Sequence, residues 1–215
     1  MDYNKYKNNG WGLSKPAFQE LYKIITTELK CDDLNIIEFG SGKSTDFLVD
    51  VSLSLMNKKN TNILSFDNDK KYMYKPKKTY DFLDLKLKNL LECSDNHYEK
   101  MFKEKKYIRL GMNIKNSQPS TRQKNCFYDI NQSDLKHNYN LVILDGPNGN
   151  GRNIGFLHLK EHLINGSYVL IDDYTHYDFV DRFLSIFDAV EVFKTTNGRE
   201  DKWNKGGDFI IFKIK

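Results

Sequence analysis

The chain predicts a single α/β domain, a mostly parallel sheet with helices wound on both sides. Three stretches carry that reading. Residues 35–45, NIIEFGSGKST, pass from an apolar pair through two glycines into a helix-like pattern. Residues 139–145, YNLVILD, place four consecutive apolar residues before an aspartate, and 166–173, GSYVLIDD, repeat the plan with two acids. Strands buried on both faces read as continuous apolar runs, and the acid that ends each run marks where it leaves the core.

Length and composition set the limits. With 215 residues, 39% hydrophobic and 13% aromatic, the chain is long enough for one substantial core. A formal net charge of +4, with acids and bases mixed along the chain, implies no polyanion partner by charge alone. The local surplus at Lys70, Lys71, Lys75, Lys77, Lys78, Lys103, Lys105 and Lys106 reads as a solvated face. Cys31, Cys93 and Cys126 are scattered, odd in number and without C-x-x-C spacing, so they are expected to be reduced. No apolar run is long enough to span a bilayer and no charged-then-apolar leader opens the chain, so a cytoplasmic location with no membrane partner is expected.

In order, residues 1–10 are polar and expected to be flexible. Ser14 and Pro16 signal a helix start, and Phe18, Leu21, Tyr22, Ile25 and Leu29 follow at helical spacing, so 11–34 form an N-terminal helical cover. The glycine turn at 40–42 joins the first strand to a helix over about 44–56. Such a turn leaves backbone N–H groups at a helix start and lets a ligand approach the main chain. A Walker A loop would need glycine at Ile37, so that reading fails; a dinucleotide fingerprint would need glycine or alanine at Thr45, which weakens the NAD reading. A second strand at 63–66 ends at Asp67, where a Rossmann-like fold holds ribose hydroxyls; the plainer role is a helix cap, for which Asp69 is better placed.

Beyond it the pattern weakens. Residues 80–91 show helical periodicity, 107–114 look like a strand, and 116–125, with Pro119, form a loop expected over the site. After the strand that ends at Asp145, the glycine-rich segment to Gly151 is expected to be a site loop. Residues 154–163 read as helix and hold His158 and Glu161-His162 in an H-x-x-E-H pattern, for which solvent-facing histidines are the ordinary reading and a zinc pair the rare one. A fifth strand ends at Asp172 and Asp173, a helix follows over 179–187, and strands at 190–194 and 208–213 close the sheet as an antiparallel pair.

The loop E-F-G-S-G-x-S-T resembles motif I of class I S-adenosylmethionine-dependent methyltransferases, above all small-molecule and sugar O-methyltransferases; L-D-G-P with Arg152 seven positions beyond Asp145, and I-D-D, resemble their later motifs. The resemblance runs from about Trp11 to the C-terminus and is thin between 70 and 128. It implies a three-layer, Rossmann-like, seven-stranded, mostly parallel sheet with a C-terminal antiparallel strand. It implies S-adenosylmethionine as cofactor, with S-adenosylhomocysteine as product. The cofactor contacts it implies are Glu38, Gly40, Ser41, Gly42, Ser44, Thr45, Asp67, Asn68 and Asp145, with Tyr128 and Asp129 flanking the adenine. Trp11 either touches substrate or packs the cover.

In metal-dependent members an acid ends the fourth strand and a pair ends the fifth, jointly binding Mg2+; Asp145, Asp172 and Asp173 match, although other members carry these acids without an assigned metal. Without a metal, His176 is the candidate general base, with Asp173 as its catalytic companion. Arg152 would clamp a phosphate or carboxylate on the acceptor. The expected function is O-methylation of a small hydroxylated acceptor, such as a sugar or surface-polysaccharide (capsule) precursor bearing phosphate or not. The alternatives are an RNA or cap methyltransferase and a non-catalytic adenosine-nucleotide-binding module. The partner expected is the small-molecule acceptor, not a nucleic acid; a homodimer is left open.

Overall fold

The computed structural model describes residues 1–7, 12–115, 124–196, 203 and 207–215. In chain order the elements are helix α1 (Lys15–Lys23), strand β1 (Asp33–Phe39), helix α2 (Lys43–Leu55), strands β2 (Asn60–Asp67), β3 (Leu83–Leu87) and β4 (Leu90–Glu92), and helix α3 (Asp95–Glu104). Strands β5 (Asn113–Lys115), β6 (Cys126–Tyr128) and β7 (Tyr139–Leu144) follow, then helix α4 (Ile154–Leu159), strand β8 (Leu163–Asp172), helix α5 (Phe179–Ile186) and strands β9 (Ala189–Thr196) and β10 (Asp208–Ile214).

Seven strands form the main sheet in the order β3-β2-β1-β7-β8-β10-β9, and β5-β4-β6 form a small second sheet. The pairs from β3 to β8 are parallel, whereas β10 runs antiparallel to both β8 and β9. This is the seven-stranded Rossmann-like sheet expected, with its antiparallel close. The order reverses between β1 and β7, so the carboxyl ends of these two strands open the crevice where such folds bind ligands.

Alternation along the central strands makes two cores. Leu34, Ile36, Leu141, Ile143, Tyr168, Leu170, Phe209 and Ile211 pack under α1 and α2, while Ile37, Phe39, Val142, Leu144, Val169, Ile171, Ile210 and Phe212 pack under α3, α4, α5 and the small sheet. Residues that neighbour one another in a strand therefore serve opposite layers, which is why these strands read as unbroken apolar runs.

Ser14 caps α1 by accepting from the Ala17 N–H, and Pro16 sits in the first turn, as the sequence signals. The helix continues as a π turn over Ile24–Glu28. The N-terminus departs from expectation. Tyr3–Tyr6 form a 3-10 turn, and Tyr6, 1% exposed, packs between Phe18 and Phe47 while its hydroxyl donates to Asp50 at 2.5 Å. One buried aromatic anchor is enough to fix a polar segment. Residues 8–11, Trp11 among them, lie outside the described residues.

The middle of the chain corrects two further expectations. The helix anticipated over 80–91 is the pair β3 and β4. Leu83 and Leu87 satisfy helical spacing, but the alternation Leu-Asp-Leu-Lys-Leu is equally strand-like and the pairing with β2 decides it. Of the strand anticipated over 107–114, only Asn113–Lys115 is extended and paired. The helix of this region is α3, capped by Ser94 and burying Tyr98, Met101 and Phe102. Among the described residues no helix is long and apolar enough to cross a membrane.

Candidate active site

The glycine loop is held from two sides. Gly40 takes φ +99°, and its N–H donates to Phe66 O at 2.9 Å. The N–H groups of Asp145 and Gly146 both reach Phe39 O, at 2.9 and 2.6 Å. A Cβ on Gly40 would stand 2.8 Å from Gly146 N, and one on Gly146 would stand 2.5 Å from the Tyr128 hydroxyl. The carboxyl ends of β1 and β7 thus close on each other through two facing glycines, with no room for side chains.

The loop's amides are largely used internally, which corrects the picture of free N–H groups waiting for a ligand. Ser41 N–H donates to Asp67 Oδ2 at 3.0 Å and Gly42 N–H to Thr45 Oγ1 at 2.9 Å. Tyr74 N–H donates to Ser41 Oγ at 3.1 Å and so ties the segment after β2 to the loop. Gly42 presents an open face: a Cβ there would meet only Tyr72 O, at 3.7 Å.

Beneath the loop lies Glu38, 0% exposed, on the α2 side of β1. Its Oε2 accepts from Thr45 Oγ1 at 2.5 Å and Ser65 Oγ at 2.6 Å, Ser44 is a third hydroxyl that lowers the carboxyl, and buried Oε1 makes no hydrogen bond of good geometry. Burial pushes this carboxyl up to about 7, against the lowering effect of the surrounding hydroxyls. Ser65 was not foreseen. It faces Glu38 in register across β1 and β2, and a lone serine in the apolar run Ile63-Leu64-Ser65-Phe66 was the available signal. Ser44, buried, starts α2 beside Thr45.

Asp67, 6% exposed, ends β2. Its Oδ1 accepts from Asp69 N–H at 2.7 Å; burial raises the carboxyl to about 6, opposed by the amides of Asp69, Asn68 and Ser41. Asp67 therefore caps its own turn as well as the loop. Asn68 is half-buried next to it.

Across the crevice stand Asp145, Asp173 and His176. Asp173 has φ +54°, His176 N–H donates to Asp173 O at 3.0 Å, and His176 Nδ1 lies 3.9 Å from Asp173 Oδ1. The two expected catalytic residues thus form one unit, each about a quarter exposed, with side-chain exposures of 25% for His176 and 27% for Asp173.

Arg152, expected as a clamp on the acceptor, is turned inward. It is 6% exposed, its Nε donates to Pro147 O at 2.8 Å and its Nη1 to Asp172 O at 2.9 Å. Its Nη2 stands 3.9 Å from both Asp145 Oδ1 and Asp173 Oδ2. The Mg2+ expectation for Asp145, Asp172 and Asp173 meets the same obstacle. Among the described residues no group of three or more His, Cys, Asp or Glu could hold a metal, and a guanidinium lies between two of the three acids. These residues do not fit the ion.

Tyr128, expected to flank the adenine, lies in the core. It is 1% exposed and stacked on Phe39 and Phe66, and burial holds its phenol well above the usual range. Asp129 is bound two-pronged to Arg109, at 3.0 to 3.2 Å, and its N–H donates to Asn89 O just beyond β3. The glycine segment after Asp145 is half helical, with a 3-10 turn over Asn150–Asn153 leading into α4.

The H-x-x-E-H pattern is no zinc pair. His158 is buried on α4 against Tyr107 and Phe127, and burial drives its ring down to about 3. His162 lies past the helix end and contacts His137 O. One hollow of about 180 Å³ opens away from the crevice, at the amino ends of β2, β3 and β7, lined by Asp81, Asp134 and Tyr139 among others.

Neither a family model nor a curated protein matches the chain. Among solved structures, precorrin-6y C5,15-methyltransferase from Geobacter metallireducens is 14% identical, with 92% of this chain and 88% of that one covered and a TM-score of 0.43. CmcI-N160 with SAH is 16% identical over 99% and 84%, TM-score 0.43. MnmC2 from Aquifex aeolicus is 14% identical over 90% and 57%, TM-score 0.45. The strand order itself carries the fold assignment made above.

Proposed function

We propose that this chain is an S-adenosylmethionine-dependent methyltransferase acting on the hydroxyl oxygen of a small acceptor, such as a sugar or surface-polysaccharide precursor. The observation that carries the reading is the buried carboxylate of Glu38, whose Oε1 has no hydrogen bond of good geometry, beneath a glycine loop whose Gly42 face is open. An orphaned buried carboxylate oxygen is costly unless a ligand completes it. The fit to the cofactor is good: Glu38 would receive its ammonium, Gly42 would let it approach the main chain, and Asp67 would take its ribose hydroxyls. When bound, S-adenosylmethionine supplies a methyl group activated by a sulfonium.

The chain's own residues would supply orientation and the proton path. His176 would accept the acceptor's hydroxyl proton as that oxygen is methylated, and Asp173 would orient and balance the imidazolium. Holding a hydroxyl in line is worth more than acidifying it, because the methyl donor is already activated. The test is transfer of labelled methyl from S-adenosylmethionine to a panel of hexoses, uronic acids, sugar phosphates and catechols. Label in one class, lost in His176→Ala, supports the reading; no label in any class, with the cofactor product bound, favours the non-catalytic nucleotide-binding module.

One observation favours a second reading. Lys70, Lys71, Lys75, Lys77 and Lys78 are exposed on the segment that Tyr74 ties to the glycine loop, so an RNA strand could reach the site along them. RNA binding that weakens steeply with salt would revive it.

A further inference from the structure

The crevice edge carries a charge of its own that neither the fold nor the methyl-transfer reading requires. A Cβ on Gly151 would collide with the carbonyl of Cys126, so only glycine lets the 3-10 turn lie flat on β6, and that turn carries Arg152 inward. The guanidinium is then fixed by two backbone carbonyls, Pro147 O and Asp172 O, and passes over the ring of Phe179 at 5.8 Å. Its remaining nitrogen faces Asp145 and Asp173 at equal distance, 3.9 Å. A buried cation anchored by neutral oxygens and flanked by two carboxylates stands where a divalent ion would have to stand to bridge the same acids.

We propose that Arg152 is the resident cation of this site, a positioning residue that holds the carboxylates of Asp145 and Asp173 apart and in place and so excludes a divalent ion from between them. The methyl-transfer reading enters only through the consequence: Asp173, fixed from one side by Arg152, presents its other oxygen to His176. Guanidinium and metal ion are alternatives at one position, so removing the first opens a place for the second.

Mn2+ alone, followed by electron paramagnetic resonance, is the probe, with S-adenosylhomocysteine binding measured on the same samples to report separately on the methyl-transfer reading. The wild-type chain is expected to take up no Mn2+ at these acids, and Arg152→Lys, which keeps the charge, to behave alike. Arg152→Ala, shown folded by circular dichroism, is expected to bind one Mn2+ and to lose it again when Asp145→Asn is added. The proposal is overturned if wild type holds one Mn2+ that Asp145→Asn removes, or if folded Arg152→Ala gains none.

Discussion

Ser65 and Glu38 face each other in register across two parallel strands, hydroxyl to carboxylate at 2.6 Å, in a place water does not reach. A carboxylate ringed by hydroxyls and left with one bare oxygen is a strained solution for a protein alone. It becomes a good one once a cation is supplied.

The cost appears in the pH dependence of stability. Glu38 holds its proton up to about 7 in the folded chain, against about 4.5 for an ordinary glutamate, so its contribution is fully present below about pH 4.5 and is lost as pH rises through 7. Glu38→Gln keeps the shape without the charge. Denaturant melts at pH 5 and pH 8 should show the variant gaining on wild type at the higher pH, by up to about 3 kcal/mol.

His158 works in the opposite sense. Its ring stays neutral to about pH 3 when folded, while the unfolded chain takes up the proton below 6.5, so stability is intact above 6.5 and falls as pH drops toward 3. At pH 5 the loss amounts to about 2 kcal/mol. His158→Phe should flatten this acid slope, read as urea midpoints between pH 7 and pH 4.5. A slope unchanged by the substitution would place the acid sensitivity elsewhere.

Three glycines separate packing from ligand space. Gly40→Ala and Gly146→Ala drive a methyl into backbone or phenol within 2.8 Å and should each cost about 2 to 4 kcal/mol. Gly42→Ala meets only a carbonyl at 3.7 Å and should melt within about 1 kcal/mol of wild type. Its effect should fall on S-adenosylhomocysteine affinity, since the methyl enters the face left open for the cofactor.

His176→Ala and Asp173→Asn should lower labelled-methyl transfer by about 10²- to 10⁴-fold while leaving cofactor-product affinity within about twofold. Equal losses of binding and turnover would assign these residues to the cofactor instead.

What could be read in advance was what burial writes into sequence. The strands ending at Phe39, Leu144 and Asp172 are covered on both faces, so their composition leaves few alternatives, and the acids at their ends mark the crevice. The β3–β4 region was illegible because Leu83 and Leu87 fit two periods at once, and its fate was settled by the pairing of β3 with β2 and of β4 with β5 and β6. Arg152 shows the limit at the site. An arginine after a glycine-rich turn looks like a surface clamp, and only the close approach of Gly151 to Cys126 turns it inward. Tyr128 likewise gives no sign in the sequence of its stack on Phe39 and Phe66. Trp11 and residues 116–123 of the loop expected over 116–125 lie outside the described residues.

Titration calorimetry with S-adenosylhomocysteine, and separately with NAD, tests the central claim most directly. The account predicts one S-adenosylhomocysteine per chain, an affinity at least about tenfold lower in Asp67→Ala, and no heat from NAD. Binding of NAD with none of S-adenosylhomocysteine would contradict it.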